Sequence, residues 1–107
     1  MMILAIIVGD NKETIVGIGQ YDMNQGMHTA EVALVVKDGY QNMGVGHDLL
    51  SYLTHLAIRR GLLGFTAEVL VNNKPMLDLF KNMGFDTEKR SDEGVYEMRM
   101  MFRDIEE

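Results

Sequence analysis

The sequence predicts one domain of mixed α/β (α+β) class: a mostly antiparallel sheet with a parallel strand pair at its centre and helices packed on its faces. Three observations carry that prediction. Short β-rich apolar runs alternate with two stretches of helical spacing, in the order strand, strand, strand, helix, strand, helix, strand, strand. The first helix stands between two strands, and such a unit sets its strands parallel through a right-handed crossover. The other strands are joined by short turns or loops, which make antiparallel hairpins. A chain of 107 residues, 47% of them hydrophobic, is of ordinary length for one domain and can build a core.

Residues 3–8, ILAIIV, are apolar and rich in β-branched side chains, and predict the first strand. No basic residue precedes the run and no small-residue cleavage site follows it, so it does not read as a signal peptide. It is also far shorter than the roughly 20 residues that cross a bilayer. Gly9, Asp10 and Asn11 supply turn chemistry, and TIVGIGQY at 14–21 returns as the second strand of a hairpin. Residues 22–28 read as a loop. TAEVALVV at 29–36 is almost continuously apolar, the pattern of a strand covered on both faces, and Glu31 interrupts it.

Residues 46–60 have helical spacing, with Val45, Leu49, Leu53, Leu56 and Ala57 on one stripe. Arg59 and Arg60 fall in the last turn and Gly61 follows as the cap. LGFTAEVLV at 63–71 is the next strand. Asn73 then suits a helix N-cap and Pro75 a first turn. Met76, Leu77, Leu79, Phe80 and Met83 supply the apolar face of this second helix, and Gly84 closes it. FDTEKR and GVYEMRMMF flank SDEG as a final hairpin.

Composition excludes several functions. The formal net charge of −6 argues against general nucleic-acid binding, which needs a basic face. It leaves room for one small anion held on backbone amides. An acidic surface also suits a basic acceptor such as a lysine or an amine, or serves solubility alone. Cys is absent, so there is neither a disulfide framework nor a thiol nucleophile, in accord with a reducing cytosol. His28, His47 and His55 have no metal-ligand spacing and are expected at the surface. Ten methionines, spread over strands and helices, read as adaptable core filler or as a dimer surface.

YQNMGVGHDLL at 40–50 places two glycines one residue apart just before a helix. Glycine there makes a tight turn, lets two elements approach closely, or leaves an anion room against free amides. At a helix N-terminus the amides of 43–47 face outward and the dipole adds partial positive charge, which makes a phosphate or pyrophosphate cradle. The loop lacks the third glycine and the distant acidic residue of a dinucleotide fingerprint, and the Gly-Lys-Ser/Thr of a nucleoside-triphosphate loop.

The segment VALVVKDGYQNMGVGHDLLSYLTHLAIRRG resembles the acyl-CoA-binding core of the GNAT superfamily of N-acetyltransferases. Gln41, Gly44 and Gly46 match its Gln/Arg-x-x-Gly-x-Gly/Ala loop. EVLVNNKPMLDLFKNMGF resembles the strand and helix that follow, with Asn73 and Gly84–Phe85 in the expected places, so the likeness covers about residues 29–86. A closer resemblance is to the GNAT domain of bacterial protein lysine acetyltransferases. It implies a sheet split between strands 29–36 and 63–71, with the pantetheine arm of acetyl-CoA in the split. Leu34, Val35 and Val36 would line that arm. The pyrophosphate would sit on amides near Met43, Gly44, Val45, Gly46 and His47. Asn73 would hydrogen-bond the arm, cap its own helix, or do both.

Transfer of an acetyl group to an amine needs a neutral nucleophile, although a free lysine has a pKa near 10.4. The thiolate leaves fairly well unaided, so positioning supplies much of the rate. Glu31 is the candidate base. A carboxylate in an apolar strand is desolvated toward a useful pKa, and the related lysine acetyltransferases carry a glutamate at the matching position. The plain alternative is a solvated glutamate at the start of a strand. Glu68 in the next strand reads as a surface residue or a support behind the reacting groups. Many family members place a tyrosine acid in the last helix, where this chain has Phe80, which donates no proton; the resemblance still implies that Phe80 is among the residues that contact acetyl-CoA.

The family usually has an opening strand and one or two helices before the hairpin at 3–21. This chain begins at the equivalent of the second strand, so one side of the cleft is expected to be open and apolar, and to be covered by a homodimer or a separate subunit. Two functions follow: an acetyl-CoA-dependent N-acetyltransferase acting on a protein lysine or small amine, or a non-catalytic acyl-CoA-binding regulatory module. Neither involves nucleic acid or a membrane.

Overall fold

Asp10 and Asn11 both adopt positive φ, 50° and 61°. Two such residues in a row make the type I′ turn that matches the twist of a hairpin, so Gly9 pairs directly with Lys12. They join β1 (Met2–Gly9) to β2 (Lys12–Met23) in a computed structural model that describes residues 1–41 and 43–103. β3 (Thr29–Val36), α1 (Val45–Arg59), β4 (Gly64–Leu70), α2 (Lys74–Asn82), β5 (Asp86–Asp92) and β6 (Val95–Met101) follow. Glu93 and Gly94, at φ 52° and 85°, repeat the same turn solution between β5 and β6.

The strands form one sheet in the order β1-β2-β3-β4-β6-β5. Every neighbouring pair is antiparallel except β3 and β4, which run parallel at the centre. Their pairing is short: Thr29–Gly64, Ala30–Phe65 and Glu31–Thr66. Beyond Glu31, β3 pairs only with β2, and beyond Thr66, β4 pairs only with β6. The sheet therefore splits where the resemblance placed the split. Asn24, in the loop after β2, donates from its side chain to Thr29 Oγ1 at 2.9 Å and Thr66 Oγ1 at 3.2 Å, which ties the closed end across both strands.

Both helices lie on the same face of the sheet. Leu49, Leu50, Leu53 and Ala57 of α1 and Phe80 of α2 share one core with Tyr21, Val32, Leu34, Phe65, Val69 and Met100 from the strands. Gly17 and Gly19 of β2 point at α1. A Cβ on Gly17 would stand 2.9 Å from Leu49 Cδ1, and one on Gly19 would stand 2.9 Å from both Leu34 Cδ2 and Leu53 Cδ1. Their bareness sets how closely the helix sits on the sheet. Phe65 stacks edge-on to Phe102 at 5.0 Å, and Phe85 closes the cluster. Helix α1 ends as its sequence predicts. Gly61 takes φ 85°, its N–H bonds Ile58 O, and Leu62 N–H bonds Ala57 O, the Schellman pattern.

The other face is open, which corrects the reading of β3 as covered on both sides. Glu31, Ala33 and Val35 alternate outward as exposed residues, and Val35 is 65% exposed. The run looks continuously apolar because Ala33 and Val35 are apolar without being buried.

Candidate functional site

Pairing of β3 with β4 stops at Glu31, and the next residues of β3 form one wall of a cleft of about 670 Å³. Leu34, Val35 and Val36 line that wall. Gln41, Gly44, Gly46 and His47 line the end where α1 begins, and the first turns of α2, from Asn73 to Leu79, line the opposite side. Eight of the residues expected to hold acetyl-CoA are thereby brought together. Met43 is exposed in the loop at the mouth, and Val45 is half-buried against the core, so at these two positions the main chain is the available part.

The glycines divide the roles between them. Gly44 is the N-cap of α1 at φ 85°, and nothing stands within 4 Å of where its Cβ would be. It makes the turn and leaves open space. Gly46 packs: a Cβ there would lie 3.2 Å from Leu79 Cδ2 and 3.7 Å from Val36 Cγ2. No side chain caps this helix, and the first intrahelical bond runs from Asp48 N–H to Gly44 O at 2.9 Å. The N–H groups of Val45, Gly46 and His47 thus precede the helical ladder and have no partner among the described residues. Three free donors at a positive dipole end, beside a bare Cα, fit a pyrophosphate. Gln41 contacts Val36 O at 3.5 Å and Asp38 Oδ1 at 3.4 Å through Nε2. Lys74 adds a cation to the rim, 3.6 Å from Asp78.

Asn73 caps α2. Its Oδ1 accepts from Met76 N–H at 3.3 Å, and Pro75 sits in the first turn as expected. Its amide nitrogen carries no bond among the described residues, and the residue lines the cleft, so the capping and ligand-facing readings are compatible. Phe80 is different. It is 2% exposed, belongs to the core, and does not line the cleft. It packs α2 onto the sheet.

Glu31 points to the opposite face from the helices, in an exposed position. The desolvation expected for it is therefore not provided by its surroundings. It stands at the edge of a second hollow of about 550 Å³ on the open face, lined also by Glu68, Glu88, Glu97, Arg90 and Arg99. These residues share a face because the register aligns Glu31 with Thr66, Thr66 with Arg99 and Arg99 with Glu88. Arg90 pairs with Glu97, whose hydrogen bond and negative charge raise the guanidinium pKa above its ordinary value. Glu68 and Glu97 face each other directly across β4 and β6, a like-charge pair. Asn24 and Thr66, which pin the closed end of the split, carried no sequence signal beyond a polar residue in a loop and one in a strand.

Residues 3–85 match the acetyltransferase (GNAT) family, and the chain belongs to that family. Among solved structures, the chain is similar to a domain from Methanocaldococcus jannaschii DSM 2661, at 17% identity and a TM-score of 0.81, covering 94% of this chain and 66% of that one. It is similar to the GNAT domain of S. lividans PAT at 27% identity and a TM-score of 0.73, covering 84% and 58%. It also resembles yncA from Salmonella typhimurium, solved with its cofactor acetyl-CoA, at 20% identity and a TM-score of 0.70, covering 88% and 60%. The chain thus spans less than two thirds of the length of each of the three. The family uses acetyl-CoA as its acyl donor.

Proposed function

We propose that this chain is an acetyl-CoA-dependent N-acetyltransferase whose acceptor is a primary amine, a protein lysine or a small amine. The observation that carries the reading is the β3–β4 split, which runs from the free amides of Val45, Gly46 and His47 to Glu31. Val35 to Glu31 spans about 13 Å at ~3.3 Å per residue, a length suited to an extended arm lying along β3. The edge of β3 beyond Glu31 has no strand beside it on the β4 side, so its main-chain groups are free to pair with such an arm.

Acetyl-CoA supplies an activated thioester. The residues of the chain do the rest. The loop amides and Gly44 hold the pyrophosphate, and Leu34 and Val36 exclude water along the arm. The amine approaches from the open face past Glu31, through a hollow that sets Glu68 and Glu88 beside Lys89, Arg90 and Arg99. The amine nitrogen attacks the carbonyl carbon, the C–S bond breaks, and the thiolate departs. Glu31, directly or through a water, accepts the proton that the amine loses.

A second reading, an acyl-CoA-binding module without turnover, draws on Phe80: the side chain is buried in the core and offers no proton donor. Two measurements separate the readings. Calorimetric titration with acetyl-CoA is expected to give one site in the wild type and in Glu31→Gln. CoA release with a panel of amines and lysine peptides is expected to fall about 100-fold or more in Glu31→Gln. Acetyl-CoA binding without consumption of any acceptor rejects the enzyme for that panel. No acetyl-CoA binding rejects both.

A further inference from the structure

Thr66 stands beside Glu31 on the last rung that β3 and β4 share. Neighbouring strands lie about 4.8 Å apart, and both residues line the hollow on the open face. The Thr66 hydroxyl is held from behind. The amide nitrogen of Asn24 donates to Thr29 Oγ1 at 2.9 Å and to Thr66 Oγ1 at 3.2 Å. Thr66 Oγ1 is therefore an acceptor toward Asn24, and its own hydrogen has no acceptor among the described residues. We infer that Thr66 is a positioning residue for the transfer: its hydroxyl, set by Asn24, holds the water through which Glu31 takes the proton from the acceptor amine. This rests on the proposed function and selects the water-mediated one of the two proton routes left open there.

The bond directions fit this assignment. An ordered water is held by a few polar partners, and here the Thr66 hydroxyl, the Glu31 carboxylate and the incoming amine supply them. Thr66 donates to one lone pair of the water oxygen, because Asn24 already occupies the Thr66 oxygen. The water donates one hydrogen to the Glu31 carboxylate, which only accepts. Its second lone pair then faces the amine N–H. As the C–N bond forms, the amine proton passes to the water and one of the water's protons passes to Glu31. The water is restored, and the carboxylate ends as a carboxylic acid. Glu31 is exposed, so its surroundings do not poise it by desolvation. What the fold adds at this point is orientation, through one fixed hydroxyl on the neighbouring strand.

The test measures CoA release by the full chain, with acetyl-CoA and the amine or lysine peptide that the wild type consumes fastest. Thr66→Val keeps the branched shape and removes the hydroxyl. It is expected to lower kcat about tenfold, with KM for acetyl-CoA unchanged. Thr66→Ser returns the hydroxyl and is expected to restore most of the loss. Thr29→Val is the control. It also removes a hydrogen bond from Asn24, but Thr29 is 4% exposed and does not line the hollow, so kcat is expected to stay at the wild-type level. Urea unfolding is expected to show the two valine variants alike. An unchanged kcat in Thr66→Val overturns the inference. So does an equal loss in Thr29→Val, which would reduce Thr66 to fastening the strands, or a loss confined to KM for the acceptor, which would make it a binding contact. Glu31→Gln in the same assay separates the two readings. If turnover falls in Glu31→Gln but not in Thr66→Val, the positioned water alone is rejected. Turnover that is absent from the wild type, or unchanged in Glu31→Gln, rejects the catalytic base and this inference together.

Discussion

Gly46 of α1 and Leu79 of α2 touch across the head of the cleft: a Cβ on Gly46 would sit 3.2 Å from Leu79 Cδ2. The end of a leucine side chain yields by a few tenths of an ångström, and alanine is a better helix former than glycine. Gly46→Ala is therefore expected to leave the melting temperature within about 3 °C of wild type. Gly44 has open space around it but φ of 85°. Gly44→Ala places a Cβ in the left-handed region, costs about 1 kcal/mol, and is expected to lower the melting temperature by about 4–8 °C. The two glycines look alike in the sequence, and thermal denaturation of the two variants distinguishes them. Valine at either position is expected to weaken acetyl-CoA binding, with a stability loss at Gly44 in addition.

Asn73 separates capping from binding. Asn73→Ala removes the acceptor of Met76 N–H and is expected to cost about 1 kcal/mol in urea unfolding. Asn73→Asp keeps an acceptor at the N-cap and is expected to restore that stability. If the side-chain amide also donates to acetyl-CoA, Asn73→Asp binds it at least fivefold more weakly while unfolding like wild type. Equal affinity in Asn73→Asp and wild type would reduce Asn73 to its capping role.

Phe80 tests the absence of an acid. Phe80→Tyr sets a hydroxyl into a core position that is 2% exposed, at a cost of about 1–3 kcal/mol if it finds no partner. Turnover per folded molecule is expected to stay unchanged, because the position does not line the cleft. An increase in CoA release in this variant would show that the ring edge reaches the reacting atoms.

Tyr21 holds a hydroxyl that is buried with no partner among the described residues. Its ring packs 5.7 Å from Phe65. Tyr21→Phe keeps that packing and removes a desolvated polar atom, so it is expected to stabilise the fold by about 1 kcal/mol. Urea unfolding checks it, and a destabilised variant would mean that the hydroxyl has a partner in solution.

Much of this architecture was legible because local rules agree with the fold. Gly61 after two arginines, Pro75 after Asn73, and the Asp10-Asn11 and Glu93-Gly94 turns each mark a boundary by backbone chemistry alone. The same is true of the glycine loop, whose free amides follow from helix geometry. What escaped is what depends on a third dimension. TAEVALVV reads as covered on both faces, but hydrophobicity does not say whether Ala33 and Val35 have a neighbour. Glu31 in that run reads as desolvated, yet period-two alternation turns it to the open face. Gly17 and Gly19 look like weak spots in a strand until α1 is laid over them. Asn24 becomes a fastener only when Thr29 and Thr66, distant in sequence, arrive beside it.

The brevity of the β3–β4 pairing also bears on how the molecule assembles. The β1–β2–β3 flank and the β5–β6 pair are sequence-local hairpins, whereas β4 reaches β6 only across α2 and β5, and reaches β3 across α1 through a few parallel rungs. Long-range contacts of this kind form slowly, because a loop must close before they are rewarded. The local hairpins should therefore organise early, and β4, with its junction at Ala30 and Phe65, should lock late. In native-state hydrogen exchange, the amides of that junction would open together as one cooperative seam.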